Sequence, residues 1–99
     1  MDKLLDFLFE IEKRPPLFIG SKDIHHLSHF LTGYCMAKQE IDSGYGRWLL
    51  DDFRIFLANK YNDSRSFNWA MLIHENEENG DSTDAFFILL HEFLSSCAL

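Results

Sequence analysis

Apolar residues recur every three or four positions along most of this chain, which is the period of a helix and not of a strand. In the first segment Leu4, Leu8 and Ile11 share one face with Leu5 and Phe9 beside them, while Asp2, Lys3, Asp6, Glu10 and Glu12 fill the remainder. Pro15 disfavours helical backbone at Arg14, so this helix is predicted to end near Lys13. The stretch "EKRPPLFIG" follows. Its prolines stop the helix, and Leu17, Phe18 and Ile19 are expected to fold back as an apolar plug before Gly20 releases the chain. The stretch reads as architecture.

The second helix is predicted to open at Ser21 as N-cap, with Asp23 placed against the positive end of the helix dipole. Its apolar stripe is Ile24, Leu27, Phe30, Leu31, Tyr34 and Cys35. Gly33 within it costs about 1 kcal/mol relative to Ala, which leads us to expect close approach by another helix. The turn "DSGYG" precedes a third helix over about residues 47–61, with Leu49, Phe53, Phe56 and Leu57 inward and Asp51, Asp52, Arg54 and Lys60 toward water. "NDSRS" breaks the pattern. Ser66 is then placed to cap a short segment carrying Trp69, Leu72 and Ile73, whose "WAMLI" reads as helix or as a brief strand. After the polar linker "ENEENGDS", a last helix is predicted over residues 85–95. Phe86, Phe87, Ile88, Leu89, Leu90, Phe93 and Leu94 make it apolar almost all round, as helices in the middle of a bundle are. The expected fold is therefore all-α: one domain over residues 1–99, a bundle of about five helices with an apolar C-terminal helix at its centre.

Composition changes this picture in one respect, the choice of partner. Hydrophobic residues at 46% and aromatics at 15% suit a packed core. Nine basic against sixteen acidic residues give a formal charge of −7. A nucleic-acid backbone would be repelled by such a surface, whereas a basic protein would be attracted and steered to it. Charges interrupt the apolar N-terminus, unlike the continuous apolar core of a secretory signal. No uncharged run approaches the roughly 20 residues that span a bilayer. Cys35 and Cys97 have neither zinc-ligand spacing nor a Cys-x-x-Cys arrangement, and reduced thiols are expected. The expected location is cytoplasmic, away from membranes.

Candidate chemistry is sparse. His25 and His29 share a helix face as zinc ligands on helices do, but no Glu stands between them in the metalloprotease arrangement and no third ligand has convincing spacing. They read as solvent-facing or structural residues, and no metal or cofactor is expected. Cys35 lies on an apolar stripe, where thiols pack and do not react. The neighbouring pairs Asp51–Asp52 and Glu77–Glu78 diverge, whereas general acid–base catalysis needs convergent carboxylates. Gly44 and Gly46 fit no phosphate-binding loop. The chain does not read as an enzyme.

Two acidic stretches remain. Glu75, Glu77, Glu78 and Asp81, with Asp84 close behind, form either a solvated loop or a face for a basic partner. Glu40 and Asp42 lie near Tyr45 and Trp48, and aromatic residues beside acids are favoured at interface centres, although both rings could equally be partly buried core. Asp84 aside, these eight residues are the predicted partner-binding set, with the 75–81 loop slightly preferred.

Taken together, Arg14-Pro15, the apolar run 17–20, Leu27, Phe30-Leu31, Gly33-Tyr34, the Phe-rich segment 53–61, Trp69 and the Phe-Phe/Leu-Leu/Glu-Phe helix over residues 85–94 resemble a family of small bacterial immunity proteins. These accompany polymorphic toxins, including those of contact-dependent growth inhibition. The likeness runs from residue 14 to residue 94 and rests on packing residues more than on charged ones. It implies a non-enzymatic binder that neutralises the C-terminal domain of a cognate toxin in the producing cell. The toxin domain would most often be a basic nuclease, with tRNA among the substrates to consider. The competing expectations are a small adaptor or regulatory subunit for another basic protein, and a metal-dependent protein using His25 and His29.

Overall fold

The computed structural model describes residues 2–14 and 20–96. The predicted plug over residues 17–19, and Cys97, lie outside the described residues. Helix α1, Lys3–Lys13, starts where the Asp2 carboxylate accepts the Leu5 N–H at 3.0 Å, and it buries Leu4, Leu8 and Ile11. It ends at Lys13, as the following prolines require.

Helix α2, Ile24–Gln39, is capped by Asp23 and not by Ser21. The Asp23 carboxylate accepts the N–H groups of His25 and His26 at 2.8 and 3.2 Å, which holds its carboxyl below the usual range. A carboxylate can satisfy two orphan amides and also complement the helix dipole, so it takes the cap over a hydroxyl two residues earlier. Ser21 serves the cap, accepting the Asp23 N–H and pairing with His26 Nδ1 at 2.7 Å. The helix buries Ile24, Leu27, Leu31 and Cys35, with Phe30 and Tyr34 half-buried beside them. Gly33 does not mark a helix crossing: it is exposed, and a Cβ added there would meet nothing within 4 Å.

The chain turns back through Gly46, whose φ of +71° favours glycine and whose missing Cβ would lie 2.6 Å from Cys35 Sγ. One wide π turn, Trp48–Asp52, then runs into α3, Phe53–Tyr61, so the predicted third helix is present but begins underwound. Asn62, in the left-handed region at φ 49°, ends it. Arg54 does not simply face water. It is half-buried and donates to the carbonyls of Phe67 and Arg65 at 2.6 and 3.1 Å, pinning the loop that follows. Helix α4, Trp69–Asn76, resolves the ambiguity of "WAMLI" in favour of helix. Its N-cap is Asn68, which accepts the Met71 N–H at 2.8 Å, and Ser66 stands outside the helix. Helix α5 is Thr83–Ser96.

These five helices form an all-α bundle with one continuous core, and α5 packs against α2, α3 and α4. Phe53 is fully buried at its hub, with ring contacts to Phe56, Trp69, Phe86 and Phe93. Toward α1, the α5 residue His91 stacks on Phe9 and meets the Glu12 carboxylate at 3.0 Å. Helix α5 nevertheless keeps one solvent edge: Asp84, Ile88, His91 and Glu92 are exposed. The starts of α2 and α5 are tied by backbone, Ile24 N–H to Asp81 O and Thr83 N–H to Lys22 O, both at 2.9 Å. Among the described residues no helix is long and apolar enough to cross a membrane.

Candidate functional site

The solvent edge of α5 forms one wall of a groove of about 550 Å³. Its sides come from the end of α3 (Lys60), the α4–α5 loop (Glu77, Glu78, Asn79, Asp81, Ser82) and α5 itself (Asp84, Ala85, Ile88, Leu89, Glu92). Five carboxylates therefore share it with one ammonium, and that ammonium is already bound: Lys60 Nζ lies 2.8 Å from Glu92 Oε1. Ile88, 67% exposed, stands among these charges.

Local sequence explains the shape. Gly80 packs directly on the last turn of α4, where a Cβ would lie 2.6 Å from His74 Cα and would also strike the Ile73 carbonyl, so the loop hugs that helix end. The two backbone bonds to residues 22–24 hold the loop's far side. Within the groove Glu77 is half-buried and accepts a hydrogen bond from the Tyr61 hydroxyl. Burial, and then that carboxylate, push the Tyr61 phenol well above its ordinary range, so it remains a donor across the physiological range. Glu77 is held in place by that hydrogen bond, and the other four carboxylates are exposed.

Of the predicted loop residues, Glu77, Glu78 and Asp81 line the groove. Glu75 does not. Its carboxylate turns to Arg65 Nη1 at 3.8 Å, while Arg65 chiefly serves Asp63 with a bidentate pair at 3.0 and 2.7 Å. The competing set behaves differently. Tyr45 is half-buried with its ring 6.0 Å from that of Tyr34, and burial and the Tyr34 hydroxyl raise its phenol above the ordinary range. Trp48 stacks on Phe93 and donates to Asp2 Oδ2 at 3.1 Å. Both rings are occupied in packing. Glu40 and Asp42 are exposed, Asp42 closing its own turn by accepting the Gly44 N–H at 3.1 Å. Between them stands Ile41, 93% exposed.

Sequence reasoning passed over Asp84 as a groove residue, and missed Ile88, Glu92 and Lys60. Asp84, Ile88 and Glu92 fall at i, i+4 and i+8, a helical row whose central apolar member hid it. His25 and His29 keep their helical spacing on α2, and His25 also has a ring contact with His74 on α4 that local sequence did not indicate. Cys35 is fully buried, and that burial raises its thiol above the ordinary range, as expected for an inert packing thiol. Comparison with models of protein families, with curated proteins and with solved structures returned no match.

Proposed function

We propose that the protein is a non-catalytic immunity protein whose acidic groove covers the basic, nucleic-acid-binding surface of a cognate toxin domain. One observation carries the reading: Glu77, Glu78, Asp81, Asp84 and Glu92 converge on one groove around the exposed Ile88. A nuclease must present Lys and Arg side chains to its phosphate-bearing substrate, and carboxylates held in a groove meet the same side chains. The charged wall supplies fast, selective encounter, and an apolar anchor at the centre of a polar rim supplies slow departure. The net charge of −7 supports the same reading, as does the resemblance over residues 14–94, which rests on packing residues.

The test is the association rate with a nuclease toxin domain, taken from a neighbouring reading frame that encodes one, measured at two salt concentrations. The triple change Glu77→Lys, Glu78→Lys and Asp81→Lys is expected to slow association on the order of tenfold at low salt and to flatten its salt dependence. Ile88→Asp is expected to speed dissociation. The control Glu40→Lys/Asp42→Lys should leave both rates near wild type. If the control slows association and the groove triple does not, the toxin docks at the end of α2 and the groove is not the site.

A further inference from the structure

Away from the groove, the fold brings together two imidazoles, His25 and His74, that nothing in the local sequence places side by side. His25 lies in the first turn of α2 and His74 near the end of α4, and their ring centres are 5.0 Å apart with the planes tilted by 55°. Both backbones are anchored. His25 N–H is held by Asp23 at 2.8 Å, and its neighbour Ile24 is fully buried and bonded to Asp81 O. On the other side Ile73 is fully buried, and the loop at Gly80 packs against His74. The ring separation is therefore set by buried neighbours on two helices.

We infer that His25 and His74 form a two-imidazole site for a borderline divalent transition metal such as Ni²⁺, Cu²⁺ or Zn²⁺, bridging α2 and α4. Nitrogen ligands about 2.0–2.1 Å from one ion place the ring centres about 4.5 Å apart at a right-angled bond angle and about 5.2 Å apart at a tetrahedral one. The observed 5.0 Å lies between these limits. The terminal torsion of histidine is soft, so each ring can turn a nitrogen toward the shared point without moving its backbone. His25 is half-buried and His74 exposed, which leaves the site open to solvent. No group of three or more His, Cys, Asp or Glu able to hold a metal occurs among the described residues, so water fills the remaining positions. Imidazole selects this class of ion over Mg²⁺ or Ca²⁺, which take oxygen ligands. His29, one turn along α2 from His25, is the rival second ligand.

Titration of Ni²⁺ into the full chain, followed by calorimetry and by melting temperature, tests the site. One Ni²⁺ per chain is expected, with a raised Tm. His25→Gln and His74→Gln should each weaken binding at least about tenfold, the scale on which a lost ligand-sphere contact is felt, while His29→Gln leaves it unchanged. Mg²⁺ at the same concentration should not shift Tm. Far-UV circular dichroism verifies folding, and because the two ligands sit on different helices, one folded variant suffices to decide. The inference is overturned by absence of binding at millimolar Ni²⁺ or by binding that survives either folded ligand variant. Dependence on His29, which would mark an α2-only pair, or an equal response to Mg²⁺, which would mark diffuse attraction to the acidic surface, overturns it too.

Discussion

Phe53 and Asp63 illustrate how differently single residues hold this protein together. Phe53 touches four other rings and has no exposed surface, so Phe53→Ala removes burial and leaves a cavity. The expected cost is about 3–5 kcal/mol, read from urea unfolding, against the roughly 5–15 kcal/mol that a small domain holds in total. Asp63 acts through charge. Its carboxylate accepts from Arg65 side chain and backbone and from Asn76 Nδ2 at 2.9 Å, and the Arg65 side chain above all holds its carboxyl far below the usual range. A depressed folded value means that the contribution is complete above the unfolded carboxyl's titration near about pH 4 and fades as pH falls further. Asp63→Asn is therefore expected to lower the urea midpoint at pH 7, with the gap to wild type narrowing below about pH 4. A gap constant with pH would show that Asp63 acts through shape alone. The core residue was legible in the sequence, because a Phe on a helical stripe is expected inside. The Asp63–Arg65–Asn76 cluster was not, because it joins a loop to a helix that only the fold brings together.

The existence of α1, α2, α3 and α5 followed from the period of the apolar residues, and the end of α1 from Pro15, whereas the pattern over α4 fits helix or strand alike. Helix starts were less legible, since "SKD" and "SFN" each offer two capping side chains within three residues. In both places the residue nearer the helix wins, Asp23 over Ser21 and Asn68 over Ser66, because only its side chain reaches the second or third amide. Asn68→Ala should accordingly cost about 1 kcal/mol by thermal or urea unfolding, and Ser66→Ala close to nothing. The reverse order would return the cap to Ser66. Helix α5 shows why a composition count misleads at this scale. Its apolar residues are numerous, but Ile88 belongs to a row with Asp84 and Glu92, and that row stays in solvent. Read by rows instead of totals, the same sequence announces the groove.

Across the whole molecule, the acids are arranged with more selectivity than the net charge of −7 suggests. Glu75, Asp63 and Glu12 are engaged by Arg65 or His91, whereas Glu78, Asp81 and Asp84 have no ion-pair partner among the described contacts and lie on the groove. The loop's acidity was plain in the sequence; the split between Glu75 and its neighbours depended on Arg65, which reaches across from another loop. The ties between residues 22–24 and 81–83 have a consequence in time as well as in shape. They close a segment of chain nearly three-fifths of the protein's length, so their two amides are joined only once the intervening helices have assembled. In hydrogen–deuterium exchange Ile24 and Thr83 should therefore be among the slowest amides, opening with the global unfolding free energy, despite standing in the first turns of their helices where fraying is the rule. Exchange as fast as that of Asp84 would mean that the latch opens locally, and the loop carrying Glu77, Glu78 and Asp81 would then be a recruited element and not a preset one.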